Sequence, residues 1–308
     1  MRTTKRSCAA MRKLRTTNEP AEPWDTVSRA LLWGDATLAA AGVPSPRLDT
    51  EVLLAHVLAW NRARLYARPE HPLTRAQRDA FSSTVRRRTR HEPVPYIVGH
   101  REFYRLDFLV DRRVLIPRPE TELLVAKALE NAVQQEPGKG QPLLADAGTG
   151  SGIVAISLAV NLPRATVYAT DTSPDALVVA AANAARHGVT SRVHLLQGDL
   201  LQPVPERVHI ITANLPYIPT GRLPGLAPDV VEYEPLTALD GGPDGLGLIR
   251  RLLAEAGDRL LPGGAILLEI DAEQGAEVVA LGRQHYPRAQ VELLPDDAGL
   301  DRVVCIQT

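Results

Sequence analysis

Aromatic residues make up only 4% of this 308-residue sequence, so its interior has to be built mainly from aliphatic side chains. Cysteine is scarcer still. Cys8 and Cys305 lie near opposite ends and belong to no CxxC or Cys/His cluster. That excludes a disulfide framework and a structural zinc site, and it leaves a metal-free protein of the reducing cytoplasm as the expectation. No run of about 18 apolar residues occurs, so no helical membrane span is expected. The net charge of −1 offers no whole-molecule field for nucleic acid or an anionic membrane. What remains is 44% hydrophobic and 23% charged, ordinary for a globular protein, and long enough for two domains.

The first 18 residues carry six Lys or Arg and no acid. In composition this resembles an organellar transit peptide, and Met11 could also serve as a start. Residues 1–21 are read as a disordered basic tail. Residues 22–95 then read as a small helical domain. Trp24, Val27, Leu31 and Leu32 recur at helical spacing, and Leu48, Val52, Leu53, Val57 and Leu58 form a broad apolar stripe. Thr74 and Gln77 have capping-box spacing. Arg86, Arg87, Arg88 and Arg90 close the region, followed by Arg101 and Arg105. Such a run reads as a solvated helix face, the alternative being a docking surface for an acidic or RNA-bound partner.

Residues 96–117 alternate and are rich in β-formers, which predicts a β-hairpin linker. Pro119 and nearby acids mark the start of a helix. From 143 onward, strand and helix patterns alternate in an α/β domain spanning 118–308. Candidate strands begin at 143, 166, 193, 208, 264, 290 and 302, with helical patterns between the first five. This is the rhythm of a doubly wound, Rossmann-like sheet of seven strands. The last two are too close for a crossover helix and are expected to pair antiparallel.

The segment Asp146-Ala-Gly148-Thr149-Gly150-Ser151-Gly152 follows the first of these strands. A dinucleotide fingerprint needs a glycine where Ile153 stands, and the lysine of a P-loop is missing. A glycine loop at a helix N-terminus still lets backbone approach a ligand closely. The second strand ends on Asp171, where a carboxylate can accept both hydroxyls of a ribose. The third ends near Asp199 and Leu200, an acid and an apolar group suited to an adenine edge and face. Together these strand ends resemble the S-adenosylmethionine site of class I methyltransferases. The fourth strand ends on Asn214-Leu215-Pro216-Tyr217, similar to the (Asn/Asp/Ser)-Pro-Pro-(Tyr/Phe) motif of enzymes that methylate planar nitrogens. A carboxamide oxygen and a backbone carbonyl can accept the two N–H groups of an amide and aim its nitrogen at a methyl sulfonium. Tyr217 can pack against the planar group. Leu215 stands where proline is usual.

Residues 99–125 (GHREFYRLDFLVDRRVLIPRPETELLV) and 232–253 (EYEPLTALDGGPDGLGLIRRLL) are similar to the hallmark segments of the HemK/PrmC family. Its members are peptide chain release factor N5-glutamine methyltransferases, and the resemblance runs from about residue 25 to the C-terminus. It implies a class I methyltransferase domain behind an all-α substrate-recognition domain and a β-hairpin linker. It implies S-adenosyl-L-methionine as cofactor, held by Gly148, Thr149, Gly150, Ser151, Gly152, Asp171, Asp199, Leu200 and Asn214. Leu115 and the turn at 117–121 would close over it. Asn214, Leu215, Pro216 and Tyr217 would hold the substrate glutamine of a Gly-Gly-Gln loop, with Asn214, Pro216 and Tyr217 as the catalytic set. Class I release factors are the implied partners of a monomer without stable nucleic acid or membrane contact. Methylation of a ribosomal-protein glutamine or of adenine N6, and a cofactor-binding adaptor without turnover, are the alternatives. Arg105 replaces the glycine usual after Glu-Phe-Tyr.

Overall fold

The computed structural model describes residues 24–134 and 141–308. The expected basic tail, 1–21, lies outside the described residues. The chain parts into two compact units at Val85/Arg86.

The first unit is helical: α1 (Val27–Ala40), α2 (Pro46–Leu58), α3 (Arg62–Ala67) and most of α4 (Arg75–Arg88). Trp24, Trp33 and Phe81 cluster in its core, with Trp24 stacked on Trp33 at 4.6 Å and edge-on to Phe81 at 5.6 Å. The capping box at the start of α4 forms as its spacing predicts. Gln77 N donates to Thr74 Oγ1 at 3.2 Å, and Thr74 N donates to Gln77 Oε1 at 2.9 Å. Leu32 and Leu48, assigned above to apolar stripes, are instead 71% and 46% exposed. In α1 the buried positions are Val27, Ala30, Gly34 and Leu38, a stripe from which Leu32 is rotated away.

The basic run at the end of α4 is a solvated face only in part: Arg86 and Arg90 are exposed, while Arg87 is half-buried and Arg88 buried. Arg88 is buried, donating to the Glu92 carbonyl at 3.2 Å and lying 3.8 Å from Asp229. Arg87 grips the Glu92 carboxylate through two nitrogens at 2.7 and 2.8 Å, which holds that carboxyl below its ordinary range. Asp229 is far away in sequence, so the run itself carries no sign of that pairing.

The second unit continues with α5 (Val94–Val98), so the start of the expected hairpin linker is helical. The hairpin itself is β1 (His100–Phe103) and β2 (Leu106–Leu109), joined by Tyr104 and Arg105. Then follow α6 (Thr121–Gln134), β3 (Leu143–Ala147), α7 (Ile153–Asn161), β4 (Thr166–Asp171), α8 (Pro174–Arg186), β5 (Val193–Gln197) and β6 (Val208–Ala213). The chain ends with α9 (Pro228–Val231), α10 (Gly247–Arg259), β7 (Leu260–Glu269), α11 (Gly275–His285), β8 (Gln290–Pro295) and β9 (Asp301–Gln307). Contrary to expectation, no helix separates β5 from β6. Residues 198–207 form turns that bring the chain from the sheet edge back past β4 and β3.

The sheet has seven strands in the order β5-β4-β3-β6-β7-β9-β8. The first five run parallel, while β9 is antiparallel to both β7 and β8, as the short connection predicts. Aliphatic side chains line both faces, among them Leu144, Ile156, Leu158 and Leu267 on one and Ile211, Leu253, Ile266 and Leu268 on the other. Sheets covered on both faces read as near-continuous apolar strands, which is how these strands were legible. The chain winds outward from β3 to β5, then returns to β6 on the opposite side of β3. This reversal opens a crevice at the carboxyl ends of β3 and β6, where folds of this kind take their ligands. Among the described residues no helix is long and apolar enough to cross a membrane.

Candidate active site

Ala147, the last residue of β3, is in register with Ala213, the last of β6. Gly148 and Asn214 therefore leave the sheet side by side, and a cavity of about 480 Å³ opens there. Its lining brings together Gly148, Thr149, Gly150, Ser151, Asp171, Asp199, Leu200, Asn214, Leu215 and Pro216, with Leu115 on the facing segment. Gly152 and Tyr217 are not part of that lining.

Asp146 supports the glycine loop from below. It is buried, and its two oxygens accept from the hydroxyls of Thr149 at 2.7 Å and Thr212 at 2.9 Å. Burial pushes this carboxyl up to about 6, and the two hydroxyls oppose the shift. Asn183 of α8 fixes the loop from the side: its Nδ2 donates to the Ser151 carbonyl at 2.9 Å and the Leu109 carbonyl at 3.0 Å. The hairpin is thereby tied to the glycine loop.

Asp171 accepts from Gly150 N at 2.9 Å through Oδ2 and from Ser173 N at 2.8 Å through Oδ1. Each carboxylate oxygen has capacity for a further donor, so the group is aimed into the cavity with lone pairs to spare. The Ser173 hydroxyl caps α8, accepting from Ala176 N at 3.1 Å, which frees Asp171 from that duty. Asp199 is ion-paired with Arg251 of α10, a partner that the sequence did not suggest. Leu200 holds a left-handed φ of +46°, and its carbonyl accepts from the Thr170 hydroxyl at 2.7 Å. A leucine kept in that conformation is strained, and strain of this kind persists where the surroundings over-determine it.

Asn214 donates through Nδ2 to Thr121 Oγ1, 3.1 Å away at the start of α6. With the nitrogen turned inward, the carboxamide oxygen is the end left for a ligand. The Leu215 side chain is buried against the glycine loop. The Tyr217 hydroxyl points away from the cavity toward Glu269 Oε1 at 3.4 Å, and the Tyr217 carbonyl accepts from Gln274 Nε2 at 2.9 Å. Burial raises the Tyr217 phenol well above its ordinary range, so it stays neutral.

The segment 240–246 (DGGPDGL) braces this turn from behind. Ile218 N donates to the Leu239 carbonyl at 3.1 Å, and Gly241 N to the Ile218 carbonyl at 2.9 Å. Gly245 sits at φ +79°, and a Cβ there would stand 2.2 Å from the Tyr217 carbonyl oxygen. Only glycine permits that backbone-to-backbone approach. The mouth of the cavity is tied across by Glu234, which is buried. It accepts from Ile116 N at 3.1 Å and from Arg118 at 2.5 Å.

Sequence reasoning included Thr121 only within the 117–121 turn and Glu234 and Arg251 only within the 232–253 segment, without roles of their own, and it passed over Glu269. Glu269 carried a usable signal, an acid closing an otherwise apolar strand. The other three become visible only when distant segments meet.

The arrangement suits a nucleoside-sized ligand held between the β3 and β4 ends, beside a planar amide or amine at Asn214. A family profile described as "PrmC N-terminal domain" matches residues 29–99, and one for "Ribosomal protein L11 methyltransferase (PrmA)" matches 119–233. The release factor glutamine methyltransferase of Moorella thermoacetica is 48% identical over 278 residues, covering 90% of this chain and 96% of its own. That of Geobacter sulfurreducens is 40% identical over 288 residues, covering 93% and 98%. Among solved structures, the human Mettl16 catalytic domain in complex with a MAT2A 3′UTR hairpin is similar in fold. Its TM-score is 0.51 at 13% identity, over 65% of this chain and 74% of that one.

Proposed function

The chain belongs to the release factor glutamine methyltransferase family, and from that premise we propose that it methylates the side-chain amide nitrogen, N5, of the glutamine in the Gly-Gly-Gln motif of class I peptide chain release factors. The observation that carries this reading is the Asn214 amide, held by Thr121 beside the glycine loop with its oxygen left for an acceptor. S-adenosyl-L-methionine, when bound, supplies a methyl group on a cationic sulfur. The residues present fit it: the Asp171 carboxylate is oriented by two backbone N–H groups with lone pairs to spare, and the Gly148–Gly152 loop keeps side chains out of the way.

A glutamine amide is a poor nucleophile because its lone pair is delocalised into its own carbonyl. Asn214 Oδ1 and the Leu215 carbonyl would accept its two N–H groups, fixing the nitrogen in line for transfer and stabilising positive charge as it grows. The cofactor would supply its methyl group to the amide nitrogen held there, while Asn214 Oδ1 and the Leu215 carbonyl keep that nitrogen's N–H groups in place. No protein nucleophile is required. Tyr217 would wall the acceptor side. The helical first unit is the proposed substrate-recognition domain, and the protein acts as a cytoplasmic monomer.

Incubation with methyl-labelled cofactor and a release factor should label that one glutamine. Asn214→Ala should abolish labelling while cofactor affinity changes little. A wild-type protein that labels no release factor would overturn the reading.

A further inference from the structure

Two arginines stand side by side on α10 and turn to different partners. Arg250 is engaged by two acids, Asp244 at 2.7 Å and Glu277 at 2.8 Å, neither of which lines the cavity. Arg251 does line the cavity, together with Leu248, which lies one turn earlier on the same helix face. Its Nη2 donates to Asp199 Oδ2 in an ion pair. Asp199 Oδ1 and the remaining Arg251 N–H groups have no partner among the described residues.

The turn that carries Asp199 is held from two sides. The Thr170 hydroxyl donates to the Leu200 carbonyl at 2.7 Å. One turn along α10 from Arg251, Glu255 Oε2 accepts from Leu201 N at 3.4 Å. These ties are what keeps Leu200 at its left-handed φ of +46°. The Asp199–Arg251 pair is therefore presented at the cavity on a fixed support.

We propose that Arg251 is a specificity-determining residue for the cofactor, donating to a ring nitrogen of its base while holding Asp199 to accept from the adjacent amino group. The proposal rests on the reading of the cavity as the S-adenosyl-L-methionine site, and Arg251 is what it adds to the Asp199 contact that the family resemblance implies. Its logic is the matching of donors to acceptors. A carboxylate only accepts and a guanidinium only donates. Paired side by side, they present an acceptor next to a donor. The edge of an aminopurine is the complement, an amino donor beside a ring nitrogen with a lone pair. An oxopurine places an oxygen where the amino group was, acceptor against acceptor at Asp199. By occupying Oδ2, Arg251 also fixes which carboxylate oxygen is left for the base. The two side chains are 47% and 37% exposed, and a pair so exposed contributes little to folding. A base lodged in the cavity would shield it from water, where each matched or mismatched hydrogen bond counts for more.

The test is calorimetric titration of the full chain with two ligands. One is S-adenosyl-L-homocysteine, the demethylated cofactor; the other is S-inosyl-L-homocysteine, which carries an oxygen in place of the amino group. The wild type should bind the amino ligand about tenfold or more tightly than the oxo ligand. Arg251→Met keeps the apolar stem without the charge or the donors. It should lose about tenfold in affinity for the amino ligand and less than about threefold for the oxo ligand, so the preference collapses. Its melting temperature should match that of the wild type, because the pair is exposed. An Arg251→Met protein that weakens both ligands equally, or neither, overturns the proposal, as does a wild type without preference. Binding of neither ligand by the wild type overturns the cofactor reading itself.

Discussion

Leu215 Cδ2 lies 3.0 Å from the point where a Cβ on Gly148 would stand, so the strand end that carries the acceptor turn is packed directly onto the first glycine of the cofactor loop. Gly148 has φ +72° and no side chain, and the leucine fills the space left over. Leu215 is thus a packing residue whose carbonyl remains at the motif position where proline is usual.

Leu215→Pro should accordingly leave kcat within about twofold, because the carbonyl survives, while removing buried methyl groups from above the loop. The stability cost should be about 1–3 kcal/mol, read by denaturant unfolding. A tenfold rise in kcat at saturating cofactor would instead mean that turn rigidity limits the natural sequence.

Glu269 makes the stability of the fold depend on pH. Its folded-state pKa is raised from 4.5 to about 7, so the folded protein binds more protons than the unfolded chain across that window. Stability is then fully present below about 4.5 and declines as pH rises to about 7, a loss of about 3 kcal/mol. Glu269→Gln removes the ionisation. Its melting temperature should exceed that of the wild type at pH 8 and approach it at pH 5.

The hairpin turn carries strain at both central residues, with Tyr104 at φ +49° and Arg105 at φ +60°. Two left-handed residues in a row make the kind of turn that favours glycine at the second position. Arg105→Gly should stabilise the chain by about 1 kcal/mol, the left-handed penalty less the entropy that glycine adds to the unfolded state. Thermal melts of the two proteins, compared at one pH, check it. A destabilised Arg105→Gly would mean that the arginine side chain makes a contact outweighing the strain.

What was legible in the sequence follows from range. The strand–loop–helix at 143–161, the Ser173 cap and the Thr74 capping box depend on residues a few positions apart, and each stands where its pattern places it. The cavity was legible because its lining comes from successive strand ends, which a doubly wound sheet must bring to one edge. The supports were not. Thr121 meets Asn214 across 93 residues, and Glu234 meets Ile116 across 118. Arg88 is similarly absorbed by Asp229. Periodicity carries no record of such pairings, which exist only after the chain has folded. Leu32 and Leu48 mark the opposite limit, since apolar character alone did not reveal which side of the helix would be covered.

Glu234 offers the last prediction. Val114 and Leu115 line the cavity on one side of this carboxyl, and Pro235, Thr237 and Ala238 line it on the other. Glu234 joins the two segments through Ile116 N and Arg118, and burial raises its pKa against the opposing pull of Arg118. Glu234→Ala leaves the Arg118 cation and one backbone N–H without this partner, at a cost of several kcal/mol if both stayed buried. The cheaper outcome is that the 113–118 segment lifts into water. The cavity then loses one wall, and cofactor affinity should fall about tenfold or more while kcat at saturating cofactor changes less than about threefold. Glu234→Gln keeps an accepting oxygen for only one of the two donors and loses the charge, and it should fall between the two. Calorimetric titration with S-adenosyl-L-methionine measures this directly, and equal affinity in all three proteins would show that the 113–118 segment contributes nothing to closure.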